Sequence, residues 1–240
     1  MVNRTFAEER IYLGAGAFAN TDEFGNEFAN DSNYNVTARL TGLPLYVDEG
    51  KQLLHVGVNY SHQFRGDGSL SFSQRPEAHL APKIVNTGTI NGVSGVDLVG
   101  GELAGVFGPV NFQSEIVSSF VDRGRGLTNP SFWGAYGQVG WFLTGETRAY
   151  DPVEAAFVRT SPKHSFSIKD GTWGAWELAA RYSYLTLADK GVGGGIVSDI
   201  TGGLSWYLYP NLRLMVNYVY SNRHGLGDAS IAESRVQVDF

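Results

Sequence analysis

From residue 174 to 187 the chain runs GAWELAARYSYLTL, and alternate side chains belong to two different chemistries. Trp176, Leu178, Ala180, Tyr182 and Tyr184 form one series, and Ala175, Glu177, Ala179, Arg181 and Ser183 form the other. A period of two is the mark of a β-strand, whose successive side chains leave on opposite faces. Glu177 and Arg181, four apart, would also suit a helix, as would the alanines. A helix, however, would spread Trp176, Leu178 and Tyr182 around its circumference. The alternation also recurs where helix formers are absent: in YNVTARLTG (34–42), LLHVGVNYSHQF (53–64), LRLMVNYVY (212–220) and SRVQVDF (234–240).

This patterning predicts ten antiparallel wall strands, at roughly 11–19, 34–42, 53–64, 98–107, 110–121, 131–143, 173–186, 195–208, 211–222 and 230–240. Their lengths suit tilted strands that cross a bilayer in about 9–11 residues. Gly108-Pro109 and Pro210-Asn211 are tight-turn signals.

The apolar series carries Tyr60, Trp176, Tyr182, Tyr184, Trp206, Tyr218 and Tyr220 toward strand ends. Rings with one polar edge are what a membrane-interface girdle requires. The opposite series holds Arg39, Glu115, Glu177, Arg181, Asp199, Arg213, Arg235 and Asp239. Charge at mid-strand is costly in a dry core and free of that cost against water. The expected fold class is therefore all-β, an antiparallel transmembrane β-barrel with its greasy face outward and its wet face inward. A soluble β-sandwich that binds carbohydrate on surface aromatics is the competing architecture. It would bury the apolar series against a second sheet.

Composition narrows the function classes. With 18 Lys+Arg against 24 Asp+Glu, the net charge is −6, and no basic run occurs, so a nucleic-acid partner is not expected. Cysteine is absent, which excludes disulfides, thiolate metal sites and cysteine nucleophiles. No apolar stretch is long enough for a transmembrane helix, and the opening MVNRTFAEERIYLG lacks the apolar core of a secretory signal.

Two connections are long. Segment 65–97 resembles a strand in places, but Pro76 and Pro82 argue against a place in the wall. It is expected to be an extracellular loop, partly extended, that folds inward and narrows a channel. Segment 144–172 carries Arg148, Arg159, Lys163, His164 and Lys169 against Glu146, Asp151, Glu154 and Asp170. Counting strands back from Phe240, placed at the periplasmic end, makes this segment a long periplasmic turn packed into or across the lower mouth. The same count puts the acidic loop 20–33 outside, with polar loop 222–228.

LLHVGVNYSHQF, RPEA, GPVNFQSE, WFLTGETRAY, GAWELAARYSYL and GGLSWYLYPNLRLMVNYVY, with terminal Phe240, resemble the phosphate-selective porin O and P family of bacterial outer membranes. The likeness runs in order over roughly 34–240, and LTGETRAY followed by GAWELAARYSYL is its most specific pair. The resemblance implies a barrel of roughly 16–18 strands, usually trimeric, of which this chain would be the C-terminal part. It implies passive diffusion of small hydrophilic solutes, including anions such as phosphate or polyphosphate. The partners would be outer-membrane lipid, lipopolysaccharide and the solutes, in a homotrimer, with no cofactor. The candidate pore-lining or anion-binding residues are Arg39, Arg65, Arg75, Lys83, Arg181 and Arg213. Arg75 holds the position of the family's arginine-bearing inner loop. Glu77 follows closely and weakens its field, so general diffusion and phosphate selection are both open.

Other chemistries are thinly supported. GVGGGIVSD (191–199) lacks the Lys-Ser/Thr of a phosphate loop and is expected to be an outer loop entering a strand. NTDEFGNEF (20–28) misses the spacing of a calcium loop. The five histidines (His55, His62, His79, His164 and His224) form no metal-ligand motif. An outer-membrane barrel hydrolase using His55 with Ser61 is the second function class. The first expectation is that the protein is not an enzyme.

Overall fold

The computed structural model describes residues 1–19 and 33–239. The strands are β1 (Val2–Phe6), β2 (Ile11–Ala19), β3 (Asn33–Val47), β4 (Gln52–Arg65), β5 (Ser69–Leu70), β6 (Ser73–Gln74), β7 (Val85–Asn86), β8 (Ile90–Asn91), β9 (Val93–Phe107), β10 (Val110–Arg123), β11 (Ser131–Phe142), β12 (Tyr150–Asp151), β13 (Ala156–Phe157), β14 (Ala175–Asp189), β15 (Val192–Tyr209), β16 (Leu212–Arg223) and β17 (Gly227–Val238). Among the described residues the only helical element is a 3₁₀ turn, Asp48–Gly50.

Eleven strands form one antiparallel sheet in the order β1-β2-β3-β4-β9-β10-β11-β14-β15-β16-β17. Each wall strand pairs with the next wall strand in sequence, so the sheet is an uninterrupted meander. Among the described residues β1 and β17 are its edges, and the sheet does not close on itself. The ten expected strands are present. An eleventh, β1, pairs with β2 from Val2↔Ala15 to Phe6↔Ile11; a segment this short carries too little alternation to register in the sequence. β9 begins at Val93 rather than near 98, which shortens the preceding connection to 66–92.

Turn chemistry explains the boundaries. Lys190 and Gly191 both have positive φ, 45° and 87°. This is the backbone of a two-residue hairpin turn matched to strand twist. β15 therefore begins at Val192 rather than near 195, so the glycine-rich run 191–199, expected as an outer loop entering the strand, lies almost wholly within it. Gly227 likewise opens β17, leaving only 224–226 between strands. Tight connections thus occur at both ends of the sheet. Pro44 sits in β3 where its register against β4 shifts, between Gly42 and Leu45, so no ladder bond depends on its missing N–H. The rest of the acidic loop beyond Asn33, and Phe240, lie outside the described residues.

The two faces differ as the alternation requires. Val58 and Val216 are 58% exposed, Ile200 57% and Val139 55%, and no second sheet covers them. This is the outcome a β-sandwich forbids. Aromatic rings gather on this face at two levels. Trp133 and Tyr184 meet at 5.0 Å and Tyr34 and Phe64 stack at 4.3 Å near one end. Trp176 and Trp206 stack at 4.8 Å, with Phe107 and Phe112 at 6.4 Å, near the other. Trp133 and Trp141 both lie on β11, eight residues apart (141 − 133). At about 3.3 Å per residue and a tilt of about 40°, the two levels stand roughly 20 Å apart. The apolar band of an outer-membrane wall is about 25 Å tall.

The sheet curls toward its polar face. Asn111 on β10 and Asp239 beyond β17 line one cavity of about 430 Å³. Five strand steps separate β10 from β17 (β10-β11-β14-β15-β16-β17). At about 4.8 Å per step these residues would stand roughly 24 Å apart on a flat sheet.

Candidate functional site

Two inserted segments reach the polar face from opposite ends of the sheet. The first is a hairpin over 69–91, with β5 paired to β8 and β6 paired to β7. Its base is apolar. Leu70, Val85 and Ile90 are buried in one cluster with Val96, Val121, Phe132, Leu187 and Val197 from the wall. Burying each aliphatic is worth roughly 2 kcal/mol, so the base anchors the segment. Arg223 adds a bond from Nε to the Ile84 carbonyl at 2.9 Å.

The hairpin tip is held by charge. Glu77 Oε1 accepts from Arg181 Nε at 2.5 Å, and Glu77 Oε2 accepts from Thr201 Oγ1 at 2.8 Å. The Glu77 N–H donates to Asp199 Oδ2 at 2.8 Å. Arg181 also donates to Gln138 Oε1 at 3.0 Å and lies 3.6 Å over the Tyr136 ring. Glu77, read from the sequence as a charge beside Arg75, is bonded to a wall arginine as well.

The second segment, 143–174, begins at the end of β11 and is stapled where it leaves the wall. Leu143 N donates to the Trp176 carbonyl at 2.8 Å, and Thr144 Oγ1 accepts from Trp176 N at 3.0 Å. The LTGET and GAWEL stretches thus meet in space. Buried Glu146 takes up Thr144 Oγ1 and the Lys163 N–H. Gly174, at φ 67°, closes the segment; a Cβ there would lie 2.2 Å from the Tyr207 carbonyl oxygen.

Further along, the segment ties to β3, β4 and β9. His55, 4% exposed, shares a hydrogen bond between Nδ1 and the Tyr150 hydroxyl at 2.7 Å. Its Nε2 lies 3.3 Å from Glu102 Oε2. Glu102 also accepts from Arg39 Nε at 2.9 Å, Arg39 Nη2 at 2.7 Å and Asn59 Nδ2 at 3.1 Å. Arg39 Nη2 reaches the Ala155 carbonyl at 3.0 Å. Burial holds the Tyr150 hydroxyl above its ordinary pKa, against the opposing pull of Arg39. The suggested His55–Ser61 pair does not form. Six residues on one strand are roughly 20 Å, and Ser61 Oγ bonds Thr37 Oγ1 at 2.8 Å.

A third cluster joins the segment to β10, β14, β15 and β16. Arg148 donates to Asn111 Oδ1 at 3.2 Å and to Gln113 Oε1 at 3.3 Å, and lies 3.8 Å over the Phe157 ring. Burial draws its guanidinium below the usual value, against the opposing pull of Glu177. The Tyr207 hydroxyl donates to Glu177 Oε2 at 2.7 Å and accepts from Arg213 Nη1 at 3.1 Å. Gln113 links this cluster to the hairpin side through Glu115 and Tyr136, at 3.0 and 2.9 Å.

The six arginine and lysine candidates do not form one ladder. Arg39 pairs with Glu102, Arg181 with Glu77, and Arg213 with neutral oxygens. Arg65 grips the hairpin base through the Ser69 carbonyl at 2.7 Å, with Asp67 at 3.7 Å. Arg75 lines a cavity of about 410 Å³ beneath the tip, with Glu77, Glu115, Tyr136 and Arg181. Lys83 sits on the tip between β6 and β7. Sequence reasoning missed Glu102, which shares the inward parity of Ala104 and was legible, and the role of Arg148, which was not.

A curled meander with an aromatic-girdled outer face, a polar inner face and segments laid against the interior matches one family model over residues 1–240, that of phosphate-selective porin O and P. The chain belongs to that family. Its place is the bacterial outer membrane. It is 30% identical to an uncharacterized protein of Caulobacter vibrioides, over 93% of this chain and 46% of that protein. It is 26% identical to Porin O of Pseudomonas aeruginosa, over 100% of this chain and 60% of that protein. The chain therefore spans about half the length of these curated relatives.

Proposed function

We propose that the chain supplies part of the wall and the inner constrictions of a passive outer-membrane diffusion channel for small hydrophilic solutes, anions among them. The observation that carries this reading is the division of one sheet into a girdled apolar face and a hydrogen-bonded polar face. Water in the bore meets charges that lipid could not. The sheet has two unpaired edges and the chain spans about half of its relatives. Both support membership of a larger barrel of about 16 strands, assembled as a homotrimer and surrounded by lipid and lipopolysaccharide. In this reading 65–97 enters from the extracellular mouth, 144–172 from the periplasmic one, and Arg75 offers its guanidinium to passing phosphate or polyphosphate. Guanidinium groups bind such oxyanions by paired, charge-assisted bonds. Planar-bilayer recording of the reconstituted full-length channel tests both levels. Stepwise conductance is expected, with a reversal potential favouring chloride that moves toward zero in Arg75→Ala. Absence of conductance sinks the channel; an unmoved reversal potential removes Arg75.

A further inference from the structure

We infer that the chamber between segment 143–174 and strands β10 to β17 is a binding site for a hydroxylated organic anion of about monosaccharide size, such as a sugar phosphate. The inference rests on the channel reading but concerns a site apart from the hairpin tip and Arg75. Its first support is charge without a direct ion pair. Among the described residues, Arg148 and Arg213 donate only to neutral oxygens: Asn111 and Gln113 for the one, Tyr207 and Gln237 for the other. Each guanidinium carries five N–H donors, more than these contacts consume. Glu177 and Asp239 also line the chamber. Glu177 is occupied by Tyr207 and Asn111, and Asp239 by Gln237 and by Arg159 at 3.4 Å. Three arginines against two carboxylates leave the chamber one positive charge in excess, on groups shaped for an oxyanion.

The second support is size and lining. The cavity measures about 430 Å³, within the range of pockets that take organic ligands, whereas inorganic phosphate would fill only a corner. Its walls include Asn111, Gln138, Thr160 and Gln237, side chains that donate to and accept from hydroxyl groups. The third support is preorganisation. Arg148 is braced by the Phe157 ring at 3.8 Å and Arg213 lies 5.2 Å over the Tyr207 ring. Binding there costs little further ordering of these long side chains.

The test uses glucose 6-phosphate against the same reconstituted full-length channel, with glucose and inorganic phosphate as comparators. Glucose 6-phosphate is expected to block ion current at a concentration at least tenfold below either comparator. Arg148→Gln and Arg213→Gln are each expected to raise that concentration about tenfold, scored only on channels that still conduct. Calorimetry on the detergent-solubilised protein measures the same affinities without conduction, so loss of conductance would count against the channel and leave the site testable. Equal affinity for inorganic phosphate, or tight binding unchanged in both variants, overturns the assignment; so does the absence of binding heat.

Discussion

Glu77→Gln isolates the electrostatic contribution of the hairpin tip. The substitution keeps the shape of the side chain and a bond to Thr201, but removes one negative charge and the ionic partner of Arg181. The Glu77 and Arg181 side chains retain 20% and 34% of their exposure, so solvent screens the pair. The charge-assisted bond is then worth about 1–2 kcal/mol rather than the upper end of its class. The buried base of Leu70, Val85 and Ile90 holds the hairpin with roughly 6 kcal/mol, so it stays docked. What changes is the field in the bore. For an ion passing about 6 Å from the lost carboxylate in water, the unscreened interaction is about 0.7 kcal/mol, falling to about 0.4 kcal/mol at 0.1 M salt. Anion occupancy rises about twofold and cation occupancy falls about twofold, a change of roughly fourfold in permeability ratio. Reversal potential in a tenfold potassium chloride gradient reads this directly. A ratio unchanged within error would show that Glu77 does not face the ion path. A large rise in conductance would show that the apolar base does not anchor the hairpin.

Three further outcomes test other parts of the argument. Val216→Arg, on the exposed apolar face, is expected to cost about 2–4 kcal/mol of stability in lipid; urea unfolding in vesicles measures it, and a neutral result would contradict lipid contact. Tyr150→Phe removes the hydroxyl bonded to His55 and should weaken the hold of segment 143–174 by about 1 kcal/mol, seen as faster amide exchange over 148–158 with exchange in β10 unchanged. Gly174→Ala strains a left-handed residue and must also displace the Tyr207 carbonyl, so a lower yield of folded protein is expected, whereas Gly225→Ala, left-handed too but with open space around it, should be milder by the cost of that clash.

How far the sequence carried the reading depends on how local each cause is. The period-two alternation of 174–187 and its relatives determined strand, register parity and the division of faces, because a pleated backbone sends neighbours to opposite sides whatever surrounds it. The LTGET and GAWEL stretches were singled out only by resemblance to a family, whereas the turn at 108–109 was legible from its Gly-Pro pair, an equally local signal. A five-residue strand such as β1 was not, and neither was a glycine-rich run that enters β15 instead of looping out. The interior belongs to tertiary structure alone. Glu77 reaches Arg181 across 104 positions, and Arg39 reaches Ala155 across 116. No periodicity records which carboxylate a curled sheet brings to which guanidinium. Composition supplied the charges; the curl of the wall and the two inserted segments decided which were paired with a carboxylate and which, like Arg148 and Arg213, were left bonded to neutral oxygens.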